Sequence, residues 1–325
     1  MKIGVIGCGA FGFAIAHRLA SSDTNEVVVW AESEAKVDEF NEKGSLACVL
    51  DSHPLPRNVL LTTSMEESVA EKDMVIVLTT AQFVPSVCEA MKPFLGEETK
   101  VAVGAKGLCP NGDLPADAAM RILERGVSMF AGPGFAVDIM DDVPVGITFA
   151  TEDDEAYELA LKAFAHDTRF KLDRSRDVIG VDLCSCIKNA AAIACGALEG
   201  SGNPISTQCL LVQRILTEVA AMLEALPGGS ADTAMSLAGM GDTVLTCFSP
   251  KSRNCSFGML VGKHGFSSPE AQGYLASTTV EGMSVVESWG VTSAALGIES
   301  RYMDVAAKVF AEDGDMSLLL DYLTA

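Results

Sequence analysis

A glycine-rich turn near the start of the chain constrains the fold more than any other feature. The apolar run Lys2–Ile6 leads into GCGAFG at residues 7–12, and an apolar stretch of helical character follows. A strand, a GxGxxG turn and a helix in this order are typical of a nucleotide-binding βαβ unit, although a plain turn in another α/β protein is the alternative. Gly7 permits the tight turn, Gly9 lets a diphosphate approach the backbone, and Gly12 lets the helix pack on the strand. Because the helix N-terminus offers N–H groups to phosphates, the motif predicts dinucleotide binding.

An acidic residue follows the second predicted strand, Glu26–Trp30, and bears on the choice of cofactor. Glu32 lies 20 residues after Gly12. A carboxylate at this distance accepts hydrogen bonds from the adenine ribose hydroxyls and repels a 2′-phosphate. We therefore predict NAD(H) rather than NADP(H). The alternative is that Glu32 and the neighbouring Glu34 are ordinary solvated charges.

Strand-like and helix-like segments alternate through the first half of the chain. The further strand-like segments are Val59–Thr62, Met74–Leu78, Val101–Val103, Ser128–Ala131 and Val145–Phe149. This alternation predicts a parallel, doubly wound sheet with ligands at the carboxyl ends of its strands. After residue 174 the segments have helical length and period. The predicted fold class is α/β: a Rossmann-type, doubly wound, mostly parallel sheet in a dinucleotide-binding domain (1–174), followed by an all-α substrate-binding domain (175–325).

Composition excludes several classes of function. A chain of 325 residues can bury two cores. Its 44 acidic and 23 basic residues give a formal net charge of −21, which disfavours nucleic acid and anionic membranes as partners. The longest uncharged stretch, Met74–Cys88, is too short to span a bilayer. The ten cysteines lack the spacing of a metal site, so we predict reduced thiols, no metal and a cytoplasmic location.

A lysine in an apolar helical stretch is the strongest candidate for chemistry. Lys188 and Asn189 lie within Val181–Ala194, among alanines and cysteines. Burying an ammonium group is costly, and a desolvated lysine titrates closer to neutrality, where it can exchange a proton with a reacting oxygen. The alternative is a lysine whose ammonium group reaches solvent along its aliphatic chain.

Two glycine-containing segments follow predicted strands and should lie at one edge of the sheet. Gly104–Gly107 follows the fifth strand, and Gly132–Ala136 follows the sixth. Because carboxyl ends of parallel strands share an edge, we expect both segments to face the nicotinamide end of the cofactor. Lys106 would then be a cation at the site, whereas plain turns are the alternative for the glycines.

A polar constellation in the second half suggests an anion site. Asp242 lies in the run Gly239–Cys247, and Ser252, Arg253 and Asn254 follow it. Arginine offers forked donors to a phosphate, and serine and asparagine add short hydrogen bonds. Taken alone, this loop is equally consistent with a helix-capping turn.

Together these segments resemble the NAD-dependent glycerol-3-phosphate dehydrogenase family. The resemblance runs from residue 1 to about 310, in the family's order, and its most specific parts are Lys188-Asn189 and the later G-x-G-D…S-R-N residues. It implies reversible reduction of dihydroxyacetone phosphate to sn-glycerol 3-phosphate with NADH. Family members are often dimers, so the resemblance also implies a homodimer.

The resemblance implies a role for each matching residue. Lys188 would be the catalytic acid and base, Lys106 would assist it at the substrate, and Asp242 would orient the lysine. The implied substrate site comprises Lys106, Gly132, Gly134, Asn189, Asp242, Ser252, Arg253 and Asn254. The glycine-rich turn and the acidic residue after the second strand give Gly7, Gly9, Gly12 and Glu32 as dinucleotide contacts, and the resemblance adds Ala10, Phe11, Phe83, Lys106, Ala136, Arg253, Thr279 and Glu281.

Four departures from the family pattern bear on the substrate and on the cofactor. Gly134 replaces a hydroxyl or amide side chain, Thr79-Thr80 replaces a proline-containing turn, and Glu32 stands where many relatives carry a basic residue. The stretch Gly202–Gln208 lacks the usual asparagine-arginine pattern. The alternatives are a related reductase of another small phosphorylated keto compound and a non-catalytic protein that senses NAD(H).

Overall fold

The computed structural model describes residues 1–45, 54–56, 58–312 and 314–325. The chain forms two compact units, one made of residues 1–105 with 115–178 and the other of residues 106–114 with 179–325. The short segment 106–114 therefore packs with the second unit, although the chain on both sides of it belongs to the first. The domain boundary expected after residue 174 remains a prediction.

The described part of the first unit contains an eight-stranded sheet with the order β3-β2-β1-β4-β5-β6-β7-β8. The strands are β1 Lys2–Ile6, β2 Glu26–Trp30, β3 Val59–Thr62, β4 Met74–Val77, β5 Lys100–Val103, β6 Ser128–Ala131, β7 Val145–Ala150 and β8 Phe170–Ser175. All neighbours pair in parallel except β6 and β7. The strand order reverses between β1 and β4, which is where a doubly wound sheet binds its ligand. The predicted doubly wound, mostly parallel sheet is confirmed.

The last strand, β8, is absent from the sequence-based assignment. Its sequence FKLDRS alternates buried and solvent-facing residues, and it pairs with β7 alone at the edge of the sheet. An edge strand with one wet face lacks the continuous apolar run that identifies the central strands. The boundary predicted after residue 174 falls inside this strand, one residue before its end.

Helices cover the sheet of the first unit and bury its apolar residues. They are α1 Ala10–Ala20, α2 Glu34–Lys43, α3 Met65–Val69, α4 Val84–Met91, α5 Pro115–Leu123, α6 Ala136–Met140 and α7 Asp154–Phe164. Short 3₁₀ turns add Ala81–Phe83 and Lys92–Phe94. Phe130 of β6 packs against Phe149, Phe164 and Phe170 at the centre of this core.

Beyond the turns of segment 106–114, the described elements of the second unit are helices, and its described residues contain no strand, as predicted. The helices are α8 Val178–Gly200, α9 Ile205–Ala225, α10 Asp242–Cys247, α11 Arg253–His264, α12 Pro269–Ser277, α13 Glu281–Leu296, α14 Arg301–Val309 and α15 Ser317–Thr324. A 3₁₀ turn, Ala231–Met235, and a π-helical turn, Leu237–Gly241, precede α10. The core of this unit surrounds α8.

The helix α8 is long and apolar because it lies at the centre of this core. By length and composition alone it could cross a bilayer, but 94% of its most apolar window is buried inside the protein. Length and composition do not distinguish a membrane-spanning helix from a core helix, but its burial identifies α8 as a core helix. The apolar surroundings of Lys188 are therefore those of a protein interior.

Glycines bring α8 and α11 into backbone contact. A Cβ atom on Gly196 would lie 2.1 Å from the Cys255 carbonyl oxygen, and one on Gly258 would lie 2.0 Å from the Ile193 carbonyl oxygen. No larger residue fits at either position without moving backbone. This close crossing places the first turn of α11, with its Ser252–Asn254 residues, next to the middle of α8.

Candidate active site

Lys188 is buried and paired. Its side chain is 5% exposed, and its Nζ lies 3.0 Å from Oδ1 of Asp242. The same Nζ donates a hydrogen bond of 3.0 Å to Oγ1 of Thr246. The alternative in which the ammonium group reaches solvent is excluded by this geometry.

The turn before α10 delivers the Asp242 carboxylate to Lys188. The π-helical turn Leu237–Gly241 ends immediately before Asp242. Ser236 caps the turn by accepting a hydrogen bond from the Gly239 N–H. π-helical turns are rare and often occur at functional sites. Thr246 lies one helical turn after Asp242 and donates its hydroxyl to the Asp242 carbonyl oxygen at 2.6 Å. Carboxylate and hydroxyl therefore reach Lys188 as one rigid unit.

A second lysine binds the other oxygen of the same carboxylate. Lys106 Nζ lies 2.8 Å from Oδ2 of Asp242, and the Lys106 side chain is 17% exposed. Lys106 is the first residue of the 106–114 segment, so the pair lies wholly within the second unit. One buried carboxylate thus holds two ammonium groups in a fixed arrangement.

Burial and neighbouring charges set the protonation of this cluster. Desolvation lowers the pKa of Lys188 from its ordinary value to about 8, with Asp242 opposing the change and Lys106 adding to it. Desolvation would raise the pKa of Asp242, but the two lysines outweigh it and hold that pKa below its ordinary value. Near neutral pH, Asp242 is therefore ionised, while Lys188 can both give and take a proton.

The first turn of α11 presents a cation to solvent and an amide to the protein interior. Ser252 is the N-cap and accepts a hydrogen bond from the Cys255 N–H. The Arg253 guanidinium is about half exposed, and its Nη2 lies 3.9 Å from a Glu281 oxygen. Asn254 is buried, donates to Asn189 Oδ1 at 3.0 Å, and accepts from the Gly282 N–H at 2.9 Å. Both the capping turn and a cation on it are therefore present.

The start of α13 completes the surroundings of Lys188. Glu281 is 20% exposed and accepts a hydrogen bond of 3.4 Å from the Asn189 amide. Its burial raises the pKa of Glu281, and the cations Arg253, Lys188 and Lys106 act in the opposite direction. Thr279, two residues earlier, is exposed. The structure thus brings Lys106, Lys188, Asn189, Asp242, Arg253 and Glu281 into one charged cluster.

The first unit carries the glycine-rich turn in the shape that a dinucleotide requires. Gly7 has φ +116°, in the left-handed region, and a Cβ there would lie 2.9 Å from the Leu78 carbonyl oxygen. Gly9 is exposed with nothing within 4 Å of a Cβ, so a diphosphate can approach it. No side chain caps α1, whose first residues are Ala10, Phe11 and Gly12. These residues fit a bound dinucleotide.

Two threonines at the carboxyl end of β4 strengthen this fit. Among the described residues, the hydroxyl oxygens of Thr79 and Thr80 are buried without a hydrogen-bond partner. Buried polar atoms in proteins are nearly always paired, so such atoms at a ligand-binding edge suit a polar ligand. In the sequence, Thr79 and Thr80 stand out only as a departure from the family pattern.

The remaining predicted residues of the first unit follow three different strands, β2, β4 and β6. Glu32 follows β2, accepts a hydrogen bond of 3.4 Å from the Cys8 thiol, and forms an ion pair with Lys36. Although partial burial opposes it, the bond from Lys36 keeps the pKa of Glu32 lowered. Phe83 is 53% exposed in its 3₁₀ turn. Gly132, Gly134 and Ala136 follow β6, and Ala136 begins α6.

One direct contact of Lys188 escaped the sequence analysis. Thr246 was quoted within the Gly239–Cys247 run without a role, yet its hydroxyl is a hydrogen-bond partner of Lys188. The available signal was its spacing of four residues from Asp242, which places both side chains on one face of a helix.

Comparison with protein families covers nearly the whole chain. Residues 2–157 match the N-terminal domain, and residues 177–321 the C-terminal domain, of the family described as NAD-dependent glycerol-3-phosphate dehydrogenase. The two matches correspond to the sheet unit and the helical unit. Lys188 and Asp242 lie within the second match, and Lys106 lies within the first match, in the 106–114 segment.

Similar proteins carry consistent names. A glycerol-3-phosphate dehydrogenase [NAD(P)+] of Rhizobium etli is 33% identical over 319 residues, 98% of this chain and 94% of the relative. One of Parvibaculum lavamentivorans is 34% identical over 267 residues, 81% of this chain and 78% of the relative. The crystal structure of glycerol-3-phosphate dehydrogenase from Coxiella burnetii has a TM-score of 0.90 at 26% identity, covering 99% of this chain and 98% of that one.

Proposed function

Because the chain belongs to the NAD-dependent glycerol-3-phosphate dehydrogenase family, we propose that it catalyses the reversible reduction of dihydroxyacetone phosphate to sn-glycerol 3-phosphate with NADH. The observation that carries this proposal is Lys188, buried and held 3.0 Å from Asp242 with a pKa lowered to about 8. An acid of this strength can protonate an alkoxide and can also deprotonate an alcohol near neutral pH. Both directions of the reaction need such a group.

The proposed chemistry at C2 of the ketone combines a hydride with a proton. The bound reduced nicotinamide supplies the hydride. Lys188 donates the proton to the carbonyl oxygen, which becomes the hydroxyl of the product, and Lys188 is left neutral. In the reverse direction neutral Lys188 accepts that proton. Asp242 and Thr246 hold Nζ of Lys188 in place throughout, so little reorganisation accompanies the transfer.

Lys106 is proposed to stabilise the negative charge that develops on the same oxygen. Its ammonium group is held by the opposite oxygen of Asp242, 2.8 Å away. A positive charge beside Lys188 also lowers the pKa of Lys188. Lys106 therefore both favours an oxyanion and makes its neighbour the stronger acid.

The substrate phosphate is proposed to bind at the first turn of α11. The half-exposed Arg253 guanidinium offers forked donors, and the N-terminus of this 12-residue helix attracts anions. The Ser252 oxygen accepts from the Cys255 N–H, which leaves its own proton to donate. Asn254 retains one amide hydrogen beyond its bond to Asn189. Gly132 and Gly134 are proposed to leave room for the substrate backbone.

NADH is proposed as the preferred cofactor because Glu32 stands after β2, where the adenine ribose binds in this fold. The ion pair with Lys36 offsets part of the Glu32 charge. The relatives are named for both NAD and NADP, so the preference is a matter of degree. Phe83, Ala136, Thr279 and Glu281 are the further proposed contacts of the dinucleotide.

The experiment that tests the function follows oxidation of NADH and, separately, of NADPH in the presence of dihydroxyacetone phosphate. We expect rapid turnover with NADH and a lower kcat/KM with NADPH. Greater activity on another keto compound, in a panel of keto acids and sugar phosphates, would favour a related reductase. Tight NADH binding without turnover of any of these compounds would favour the sensing protein.

A homodimer in the cytoplasm is proposed as the working form. An apolar groove of about 640 Å³ lies between α9 and the turns before α10, and Cys209, Met235 and Val244 are among its lining residues. Met235, Met240 and Val244 are all exposed and line the same groove, so the apolar surface there is contiguous, as in a contact surface. The nine cysteines that the structure describes are free thiols, as expected in a reducing compartment.

A further inference from the structure

The 106–114 segment is fastened to the second unit at both ends by hydrogen bonds from buried side chains. At its start, the Cys186 thiol of α8 donates to the Gly107 carbonyl oxygen at 2.8 Å. Near its end, the Thr292 hydroxyl of α13 donates to the Gly112 carbonyl oxygen at 2.6 Å. Between them, the Cys109 and Gly112 backbones bond each other at 2.9 Å. The segment is thus a closed turn held against two helices.

The first of these bonds lies next to Lys106 in the chain. Gly107 has φ +110°, in the left-handed region, so the backbone turns sharply just after the lysine. The carbonyl that receives the Cys186 thiol belongs to this turn. The direction in which the Lys106 side chain leaves the backbone therefore depends on where Gly107 is held.

Cys186 is chemically suited to remain a donor. It is fully buried, two residues before Lys188 on the same helix. Burial, with a contribution from Asp182, raises the pKa of the Cys186 thiol well above its ordinary value, so the sulfur keeps its proton. A thiol that never ionises is unreactive but can hold a hydrogen bond at any physiological pH.

We propose that Cys186 is a positioning residue for catalysis, whose hydrogen bond to Gly107 holds Lys106 against Asp242. The helix that carries the proton-transfer lysine thereby also fixes the second lysine of the site. The Thr292 hydroxyl holds the far end of the same segment and therefore also helps to keep Lys106 in place. The inference rests on the proposed role of Lys106 in the reaction.

Loosening the segment should change the titration of Lys188 as well as the rate. Asp242, Lys106, Glu281 and the Cys247 thiol are the titratable groups that act on the Lys188 charge. Of these, only Lys106 lies on the 106–114 segment. When Lys106 moves away, a repelling positive charge is lost and Asp242 is left to Lys188 alone, so the pKa of Lys188 rises.

The test compares Cys186→Ala and Cys186→Ser with Cys195→Ala. Cys195 is an equally buried thiol on α8, and its deletion leaves a cavity of the same kind. We expect Cys186→Ala to lower kcat/KM for dihydroxyacetone phosphate by roughly two- to tenfold, the worth of one neutral hydrogen bond, and to move the pH midpoint of the reduction upward. Cys186→Ser keeps a donor and should recover most of both effects. Cys195→Ala, whose thiol bonds Cys247 rather than the 106–114 segment, should change the rate and the midpoint much less than Cys186→Ala.

A double-mutant cycle with Lys106→Met separates the two proposals. If Lys106→Met itself changes neither rate nor midpoint, the role of Lys106 fails, and the positioning role fails with it. If Lys106→Met acts but Cys186→Ala matches Cys195→Ala, only the positioning role is overturned. We expect Cys186→Ala to add little in the Lys106→Met background. Should Cys186→Ala not fold, Thr292→Val replaces it, and an unchanged rate and midpoint there would overturn the inference.

Discussion

Burial, with a second lysine close by, explains the chemistry of Lys188. Two lysines share one buried carboxylate, so the cluster holds one more positive charge than Asp242 can neutralise. Glu281 lies beside them, and its burial raises its pKa. A buried site of this kind relieves its excess charge by releasing a proton from a lysine or by binding an anion. The phosphorylated ketone proposed as substrate supplies that anion.

Replacing Lys188 with methionine should remove proton transfer while keeping most of the side-chain volume. We expect kcat for reduction to fall by roughly 10²–10⁴-fold, the usual worth of a general acid, with the dissociation constant for NADH nearly unchanged. Steady-state kinetics and NADH fluorescence titration measure the two quantities. The matched control is Lys263→Met, an exposed lysine of α11 that should leave both unchanged. A Lys188→Met enzyme with more than about a tenth of the normal rate would contradict the role.

Replacing Arg253 with glutamine tests the phosphate contact. Because a hydrogen bond to a charged group is worth about 1.5–3 kcal/mol, we expect KM for dihydroxyacetone phosphate to rise by about ten- to a hundredfold. Lys251→Gln, two residues earlier and exposed, removes the same charge from the same loop. It should raise KM much less, since it lies outside the first turn of α11. Equal effects of the two changes would mean that general charge, rather than a specific contact, attracts the substrate.

At the scale of elements, the site depends on how closely α11 crosses α8. Gly258→Ala would place a methyl group 2.0 Å from the Ile193 carbonyl oxygen, so the helices must separate. Overpacking of this kind costs about 1–3 kcal/mol, and we expect a lower midpoint in urea unfolding together with a raised KM. Gly273→Ala in α12 is the control, since nothing lies within 4 Å of its Cβ. That change should be neutral or stabilise by up to about 1 kcal/mol. Equal stability of the two variants would contradict a close crossing.

The sequence predicted those elements whose pattern is local and strong. The GxGxxG turn, the apolar central strands and the long helix α8 each carry a period or motif that a single segment reveals. The edge strand β8 lacks such a run and was missed. Lys188 was identified because a lysine among alanines conflicts with its surroundings. Thr246 and Cys186 were not identified, because neither a threonine nor a cysteine is out of place in the sequence around it.

The path of the 106–114 segment also lay beyond sequence reasoning. Lys106 was expected at a strand end of the sheet, and the chain does leave β5 just before it. Its packing with the helical unit, however, depends on contacts with α8 and α13 that lie 79 and 180 residues away in sequence. No local pattern encodes such pairings.

For the molecule as a whole, the net charge is acidic whereas the candidate site is cationic. A formal net charge of −21 disfavours polyanions as partners, whereas Lys106, Lys188 and Arg253 concentrate positive charge in one cluster. Because screening in physiological salt acts over about 8 Å, a small phosphate responds to this local cluster more than to distant surface charge. An anionic substrate is therefore compatible with an acidic protein.

The proposed dimer gives a prediction at the same scale. Met235→Glu places a charge in the apolar groove beside α9, and we expect it to shift sedimentation equilibrium from dimer toward monomer. Val291→Glu is the control, because Val291 is 60% exposed but is not among the residues that line the groove. A monomeric parent protein would contradict the proposal, and so would a dimer that both variants leave intact.

The role of Lys188 as proton donor is tested most directly by the pH dependence of kcat/KM, measured in both directions of the reaction. The substrate phosphate titrates at about pH 6, so the range from pH 7 to pH 9.5 reports on the enzyme. With the pKa of Lys188 at about 8, reduction needs the protonated lysine and should fall as the pH rises through that value, whereas oxidation should rise through the same midpoint. Lys106→Met should move both midpoints upward. Midpoints that do not coincide, or a profile that Lys188→Met leaves unchanged in shape, would contradict a buried lysine as the proton donor.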